Sequence, residues 1–196
     1  MGLIANDPRH LGGAIDGDAA EKAARFLQLC DAFDLPVVSL CDTPGFMVGP
    51  DSENAAAVRR VSRQFIAGTK LGTPLLVVVL RKGYGLGAQA MAGGGFHSPV
   101  FIASWPTGEF GGMGLEGAVR LGYRKELEAE TDPEKQKALF AELVAKMYER
   151  GKAASMAAAL EIDAVIDPVD TRRWILRGLD SCPPRKHGYR KRVDAW

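Results

Sequence analysis

The amino-acid sequence predicts an α/β fold built on a mostly parallel sheet. Short apolar runs alternate with segments of helical periodicity, which is the pattern of strands separated by crossover helices. The runs at 35–41 and 74–80 contain no polar alternation, as expected for strands that are covered on both faces. Each of these two runs leads directly into a turn. Because ligands of parallel sheets bind beyond the carboxyl ends of strands, these two turns are the first candidates for a functional site.

The composition is that of an ordinary globular protein. The 196 residues predict a single domain over 1–196, and 46% hydrophobic residues with a net charge of +1 favour neither nucleic acid nor a membrane surface as a partner. No apolar run approaches the roughly 20 residues of a membrane helix, and no signal-peptide pattern is visible. Cys30, Cys41 and Cys182 are too widely spaced for a zinc site or a disulfide framework. We therefore expect a cytoplasmic protein without a bound metal.

The individual elements follow from apolar runs, caps and turn signals. Asp18 with Glu21 predicts the start of a capping box, and Asp132-Pro133 places proline at the first position of a long helix. The expected elements are strand 3–5, helix 18–33, strand 35–41, helix 53–71, strand 74–80, a short helix after it, strand 99–105, a short helix within 111–122, a long helix from 132, strand 164–166 and a helix over 167–179.

Two of these helices are assigned an apolar face from their 3.6-residue period. In the helix over 53–71 this face comprises Val58, Val61, Phe65, Ile66 and Leu71. In the long helix it comprises Leu139, Phe140, Leu143, Val144, Met147 and Tyr148. The last residues, 181–196, are basic, and we expect them to form an irregular, solvated tail rather than a nucleic-acid-binding segment.

The segment 80–91 carries the strongest functional signal. Twelve of the 23 glycines lie between residues 83 and 122, and the stretch 83–88 matches the dinucleotide pattern G-x-G-x-x-A. That pattern also requires an acidic residue at the end of the next strand, where this chain has Ser104-Trp105-Pro106. Two other interpretations remain: the glycines serve tight packing, or their backbone amides form an oxyanion hole.

Side chains that could act as a base or a nucleophile are scarce. Asp42-Thr43-Pro44-Gly45 resembles the D-x-x-G of GTPases, but the chain has no G-x-x-x-x-G-K-[ST]. There is no G-x-S-x-G elbow, and the histidines His10, His97 and His187 stand in no recognisable catalytic pattern. The chain is therefore either not an enzyme or one whose substrates supply the reactive groups.

Several motifs, in order along the chain, resemble those of biotin-dependent acyl-CoA carboxyltransferases, the beta subunits of propionyl- and acetyl-CoA carboxylases. The turn Arg81-Lys82-Gly83-Tyr84-Gly85 is similar to the family's RKAYGGAYDVM, and residues 31–46 are similar to CDAFNIPLVTFVDVPGF. Further similarity is found at 105–119 to WPTAEVAVMGAKGAV, at 162–172 to IDDVIDPADTR and at 186–188 to KHG. The resemblance covers nearly the whole chain and corresponds to the C-terminal half of the two-part family subunit.

The resemblance implies a crotonase-like (ClpP/crotonase) spiral of β-β-α units and transfer of a carboxyl group from carboxybiotin to the α-carbon of an acyl-CoA. In this family biotin arrives on a separate carrier domain and itself acts as the base, which would explain the missing catalytic side chains. The implied partners are the N-terminal carboxyltransferase half, biotin carboxylase and the biotin carrier, in a homo- or hetero-oligomer. Alone, the chain is expected to be incomplete.

By the same resemblance, the backbone amides of Leu86 and Gly87 form an oxyanion hole for the biotin ureido oxygen. Leu86 replaces a family glycine, and Gln89 replaces an aspartate found in many short-chain carboxylases at a position that influences acyl choice. The residues that would bind biotin or acyl-CoA are Gly45, Phe46, Tyr84, Gly85, Ala88, Gln89, Gly112, Met113 and Gly114.

Two alternative functions stay open. A biotin-independent acyl-CoA hydratase, isomerase or decarboxylase on the same fold would need a carboxylate in the pocket, and Glu109 and Glu116 are the candidates near the glycine turn. A non-catalytic assembly module would use the glycines for packing alone.

Overall fold

The computed structural model describes residues 1–183 and 193–194. Within these residues, a parallel sheet forms the centre of the fold. The strands are β1 (Gly2–Ala5), β2 (Val37–Thr43), β3 (Leu75–Tyr84), β4 (Phe101–Ser104), β5 (Glu109–Gly111) and β6 (Ala164–Val165). Their spatial order is β1-β2-β3-β4-β6, β5 pairs with the end of β3, and these pairings are all parallel. The predicted α/β class with a mostly parallel sheet is confirmed.

Helices cover both faces of the sheet. They are α1 (Gly17–Ala32), α2 (Pro50–Asn54), α3 (Ala57–Thr69), α4 (Gly85–Met91), α5 (Leu115–Gly122), α6 (Arg124–Ala129), α7 (Pro133–Gly151), α8 (Ala153–Ala158) and α9 (Thr171–Asp180). Short 3-10 turns lie at Leu11–Gly13 and Pro168–Asp170. Within the described part of the chain, no helix has the length and apolar character needed to cross a membrane.

The central strand β3 is buried on both of its faces. Val77 and Val79 belong to the larger apolar cluster, which also contains side chains of α1, α3 and α4. Leu76 and Val78 belong to a second cluster on the opposite face, where Trp174 and other residues of α9 pack. Alternate residues of a strand point to opposite faces, so one apolar run supplies both clusters. This explains the absence of polar alternation in the sequence of this strand.

The long helix α7 begins as expected. Asp132 is its N-cap and accepts a hydrogen bond of 3.0 Å from the amide of Glu134, while Pro133 occupies the first turn. The six residues assigned to its apolar face are all partly buried, and the residues between them are exposed. The predicted face is therefore confirmed.

The N-cap of the first helix was predicted two residues too late. Asp16, not Asp18, is the N-cap of α1, because the Asp16 carboxylate accepts a hydrogen bond of 2.8 Å from the amide of Ala19. Asp18 lies in the first turn, where its carboxylate pairs with Arg60 of α3. The sequence favoured Asp18 because Glu21 lies three residues on, but the Glu21 carboxylate pairs with Arg60 and Arg63 of α3 instead of completing a capping box.

The prediction of one helix over 53–71 is wrong. The segment contains two helices, α2 and α3, separated at Ala56, whose φ of +56° is left-handed and interrupts the helical path. Two residues of the predicted apolar face are exposed, Val58 by 78% and Ile66 by 46%. The helix instead turns Val61, Gln64 and Phe65 towards the core or its margin.

The strand before the glycine turn is longer than predicted. β3 continues through Tyr84 because β5, an element that the sequence did not predict, pairs with its last residues. The other boundary differences are small: β2 runs to Thr43, and β4 covers only the middle of 99–105. Residues 184–192 and 195–196, which include His187, the KHG motif and most of the predicted basic tail, lie outside the described residues.

Candidate functional site

The two turns identified in the sequence meet at one edge of the sheet. β2 and β3 are neighbouring parallel strands, and after a register shift Thr43 lies opposite Gly83. The chain leaves β2 through Pro44-Gly45 and leaves β3 through Gly85, so both turns lie beyond the same carboxyl edge. This is the edge at which ligands of parallel sheets bind.

The turn after β3 changes directly from strand to helix. Tyr84 is the N-cap of α4 in an extended conformation, and Gly85, the first helical residue, has a φ of +58°. The first amides of a helix have no intrahelical acceptor, so those of Leu86 and Gly87 belong to the donors available at this end. The Leu86 side chain is 61% exposed, whereas Gly87 is buried.

Close backbone contacts hold this turn against the other loops of the site. A Cβ atom on Gly87 would lie 2.7 Å from the carbonyl carbon of Gly45 and 3.0 Å from the amide nitrogen of Phe46. A Cβ atom on Gly85 would lie 2.8 Å from the carbonyl oxygen of Gly112. The glycines therefore serve packing, and this packing brings the predicted residues Gly45, Phe46, Gly85, Gly87 and Gly112 together around the first turn of α4.

The loop that carries Gly45 is fixed by its own hydrogen bonds. The Gly45 amide donates to Thr43 Oγ1 at 3.1 Å, and the Gly45 carbonyl accepts from the amide of Ile15 at 3.0 Å. The Phe46 ring packs against Phe65, with ring centroids 6.0 Å apart. The Gly45 amide is thus engaged within the protein, whereas the amides of Leu86 and Gly87 lie at a helix start.

An ion pair beneath the two turns joins β2 to β3. The carboxylate of Asp42, which is only 7% exposed, accepts from Arg81 Nη2 at 3.1 Å and from the amide of Lys82 at 3.1 Å. The Asp42 amide donates to Asn6 Oδ1, and Lys82 Nζ donates to the carbonyl of Gly12. The bonded Asp42 carboxylate raises the pKa of Arg81. Sequence reasoning missed this supporting role, since no local pattern links residues about forty positions apart.

Both carboxylates considered as alternative catalytic groups are bonded to tyrosines. The Tyr84 hydroxyl donates to Glu109 Oε2 at 2.8 Å, and the Tyr148 hydroxyl donates to Glu116 Oε1 at 2.9 Å. Burial and the Glu109 carboxylate raise the pKa of Tyr84 far above its usual value. The bond to Glu116, together with burial, raises the pKa of Tyr148 to about 12. Both tyrosines therefore remain protonated hydrogen-bond donors at neutral pH.

A cavity of about 380 Å³, which we name the β5 cavity, opens beside the glycine turn. It lies between α4, β5, α5, α7 and α8, and Gly85, Gln89 and Gly112 of the predicted set line it. Its other lining residues are Gly83, Phe96, Phe110, Gly111, Leu115, Met147, Arg150, Gly151, Met156 and Glu161. The sequence predicts that Met147 lies on the apolar face of the long helix. It does not indicate that this face lies beside Gln89, as it does in the structure.

The remaining predicted residues differ in position. The Ala88 side chain is 1% exposed and belongs to the core, Met113 is 42% exposed, and Gly114 is the N-cap of α5. His97 is exposed and lies 4.0 Å from Glu161, a lining residue of the cavity mouth. Among the described residues, no group of three or more His, Cys, Asp or Glu side chains is arranged to hold a metal ion.

Comparisons with known proteins agree on one family. The model of the carboxyl transferase domain matches residues 1–186. The carboxyltransferase subunit of propionyl-CoA carboxylase from Haloferax mediterranei is 37% identical, over 96% of this chain and 37% of that protein. The methylmalonyl-CoA carboxyltransferase 12S subunit of Propionibacterium freudenreichii subsp. shermanii is 36% identical over the same shares. The chain therefore spans little more than a third of the length of these curated relatives.

Solved structures show the same relationship. A single-chain, multi-domain long-chain acyl-CoA carboxylase is 60% identical, with a TM-score of 0.79 over 89% of this chain and 17% of that one. The hexameric transcarboxylase 12S, solved with methylmalonyl-CoA and methylmalonic acid bound, is 35% identical, with a TM-score of 0.81 over 96% of this chain and 37% of that one. The expected crotonase-like fold is confirmed by these neighbours.

Proposed function

Because this chain belongs to the carboxyl transferase domain family, we propose that it is the biotin-side half of the carboxyltransferase of a biotin-dependent acyl-CoA carboxylase. The observation that carries the proposal is the start of α4, where the amides of Leu86 and Gly87 lie beyond the carboxyl end of β3. The close packing of this turn on the Gly45 loop and on Gly112 supports the proposal, because it leaves the backbone of the turn little room to move. The resulting site can hold an oxyanion without any side chain.

The residues present fit a biotin ureido group. A ureido oxygen requires hydrogen-bond donors, and the first turn of α4 supplies backbone N–H groups that need no acceptor within the helix. Fixed donors of this kind contribute about 2.7–4 kcal/mol each to stabilisation of a developing oxyanion in other enzymes. When bound, carboxybiotin supplies the carboxyl group and the nitrogen that accepts the α-proton of the acyl-CoA.

The side chains near the site hold the two strand ends that carry the turns. Tyr84 and Glu109 hold the strand end before the turn, and Asp42 with Arg81 holds the neighbouring strand end. Both glutamates that an acid–base mechanism would need already accept hydrogen bonds from tyrosines. This arrangement favours a transferase whose cofactor is the base over a hydratase or isomerase with a carboxylate base.

The proposed partners follow from the length of the relatives. The curated relatives are almost three times as long as the matched segment, so the proposal includes an N-terminal carboxyltransferase half that supplies most of the acyl-CoA site. It also includes a biotin carboxylase and a biotin carrier, in an oligomer located in the cytoplasm. The hexamer described for transcarboxylase 12S supports an oligomeric assembly.

A substitution at Leu86 tests the oxyanion hole directly. Proline is tolerated in the first turn of a helix, so Leu86→Pro removes one N–H group without removing an intrahelical bond. In the enzyme assembled with its N-terminal half, we expect Leu86→Pro to lower kcat for biotin-dependent carboxyl transfer by roughly 10²–10³-fold. Leu86→Ala, which keeps the N–H group, is the matched control and should retain kcat.

Circular dichroism and thermal unfolding check that both variants are folded before their activities are compared. Equal activity of folded Leu86→Pro and Leu86→Ala would show that this amide has no role. Absence of biotin-dependent carboxyl transfer in the assembled wild-type enzyme with short-, medium- and long-chain acyl-CoA compounds alike would contradict the proposed function as a whole.

A further inference from the structure

A second cavity, of about 300 Å³, lies at the amino edge of the sheet, and we name it the Cys182 cavity. Its walls come from the connection between α3 and β3, from the segments after α4 and before β4, and from Cys182 and Pro183 after α9. β3 spans ten residues, so roughly 30 Å separates this cavity from the glycine turn at the other end of the strand. The Cys182 cavity is therefore distinct from the candidate oxyanion hole.

A buried hydroxyl group lines the Cys182 cavity without a partner. Thr73 is only 4% exposed, and its Oγ1 atom has no hydrogen-bond partner within residues 1–183 and 193–194. The backbone amide of Thr73, in contrast, donates to Asp31 Oδ1 at 3.0 Å. Buried polar groups are normally hydrogen-bonded, because an unpaired one costs stability. A ligand that offers a donor or an acceptor to Thr73 Oγ1 removes this cost.

A thiol group lies beside the same cavity. Cys182 is free and partly exposed, so a reagent in solution can reach it. It follows α9, which packs closely on the sheet, since a Cβ atom on Gly178 would lie 2.5 Å from Cδ2 of Leu76. Cys182 Sγ also donates to the carbonyl of Gly178 at 3.2 Å. The position of the thiol at the cavity is thus set by the packing of α9.

The lining favours a small, uncharged ligand with a polar group. The described residues that line the cavity include no charged side chain, and its apolar members include Leu71, Leu75 and Val100. A charged group would lose hydration there without gaining an ion-pair partner. An amide can meet Thr73 Oγ1 in either direction, because an amide has both a donor and an acceptor, as a hydroxyl does. The volume lies at the lower end of the usual range for ligand pockets, so the ligand is small.

We infer that Cys182 is a site of reversible thiolation by a small, uncharged thiol that carries an amide, such as pantetheine, and that Thr73 binds the amide. The thiol enters as its disulfide. Cys182 gives its proton to water, the thiolate attacks one sulfur of the disulfide, the S–S bond of the reagent breaks, and the departing thiolate takes up a proton. This inference does not rest on the proposed carboxyltransferase function.

Adduct stability tests the inference. Intact mass spectrometry of the full chain, in mixtures of a thiol with its disulfide, measures the equilibrium constant of the adduct. A peptide of residues 178–186 gives the reference value for an unfolded thiol. We expect the pantetheine adduct to be roughly tenfold more stable in the native protein than in the peptide. The adduct of 2-mercaptoethanol, which is uncharged but has no amide, should be equally stable in both, and Cys182→Ser should abolish every native adduct.

A substitution at Thr73 tests the amide contact. Thr73→Val keeps the shape of the side chain, removes a hydroxyl that has no partner, and should lower the stability of the native pantetheine adduct roughly tenfold. Thr69→Val, at the exposed end of α3, is the matched control and should leave it unchanged. Equal stability of the pantetheine adduct in native protein and peptide, or a preference that persists in folded Thr73→Val, would overturn the inference. A glutathione adduct stabilised as strongly as the pantetheine adduct would also overturn it, because glutathione is charged.

Discussion

The hydroxyl of Tyr84 donates a hydrogen bond of 2.8 Å to Oε2 of Glu109 and thereby ties the last residue of β3 to the first residue of β5. Tyr84 is only 4% exposed and immediately precedes Gly85, where the chain turns into α4. The position of the first turn of α4 thus depends on a contact between residues 25 positions apart. This bond connects the stability of the fold with the geometry of the candidate oxyanion hole.

Tyr84→Phe should destabilise the protein by about 1–2 kcal/mol, because the partly buried Glu109 carboxylate loses its hydroxyl donor. Urea unfolding at neutral pH measures the change. Tyr148→Phe is the matched control: its bond to Glu116 lies at the surface, and the loss should be smaller. An equal or larger effect of Tyr148→Phe would show that the bond from Tyr84 to Glu109 contributes no more to stability than the bond from Tyr148 to Glu116.

Stability should decline at alkaline pH because both tyrosines have raised pKa values in the folded protein. Unfolded tyrosine titrates near pH 10, whereas the pKa of folded Tyr148 is about 12 and that of Tyr84 is also raised. Their contribution is fully present below about pH 10 and is lost as the pH rises towards the folded-state values. Urea midpoints measured from about pH 9 to about pH 12 should fall less steeply in the Tyr84→Phe/Tyr148→Phe variant than in the wild type. Identical pH profiles would contradict this linkage.

Asp42→Ala should cost more stability than Arg81→Ala. Removal of the largely buried Asp42 carboxylate leaves the Lys82 amide and the Arg81 guanidinium without their acceptor, at a cost of about 3 kcal/mol. Removal of Arg81, whose side chain is 53% exposed, leaves the carboxylate bonded to the Lys82 amide and should cost only about 1 kcal/mol. Chemical denaturation of the two single variants and the double variant measures both values and their coupling. The reverse order would be inconsistent with the network described here.

Gly87→Ala should destabilise the protein by about 1–3 kcal/mol, because its methyl group would meet the backbone of Gly45 and Phe46, which cannot move aside as a flexible side chain does. Gly112→Ala is the matched control, since a Cβ atom there has no neighbour within 4 Å. Thermal unfolding of both variants compares them. Equal stability of the Gly87→Ala and Gly112→Ala variants would mean that the Gly45 loop moves away from the first turn of α4 more easily than their close packing implies.

The sequence predicts those parts of the fold that local patterns determine. The run 74–80 is apolar because both faces of β3 are buried, so its composition alone predicted a strand that is covered on both faces. Asp132 and Pro133 define the start of α7 by cap chemistry that needs no distant partner. The meeting of the two glycine turns was also predictable, because parallel neighbouring strands end at a common edge.

The parts that the sequence did not predict depend on distant partners. β3 continues through Arg81, Lys82 and Gly83 only because β5 pairs with it, and neither segment has a strand composition of its own. The cap was assigned to Asp18 because Glu21 follows it, and only the fold shows that Arg60 of α3 pairs with both of these carboxylates. The β5 cavity could not be predicted from the sequence either. It forms where α7 and α8 approach α4, and the hydrophobic periodicity of a helix does not indicate which other helices lie beside it.

The three cysteines should differ sharply in their reactivity with thiol reagents. All three are free, but Cys30 and Cys41 are buried, whereas Cys182 is partly exposed. Burial raises the pKa of Cys41 to about 12, so almost none of it is the reactive thiolate at mildly alkaline pH. Cys182 should therefore react with an aromatic disulfide reagent in the native protein at about pH 8, and the other two only after unfolding in denaturant. Cys182→Ser should abolish the native reaction and leave the reaction of two thiols in denaturant. Rapid native modification of Cys41 would mean that the carboxyl ends of β2 and β3 separate readily, which would be incompatible with a rigid platform for the Leu86 and Gly87 amides.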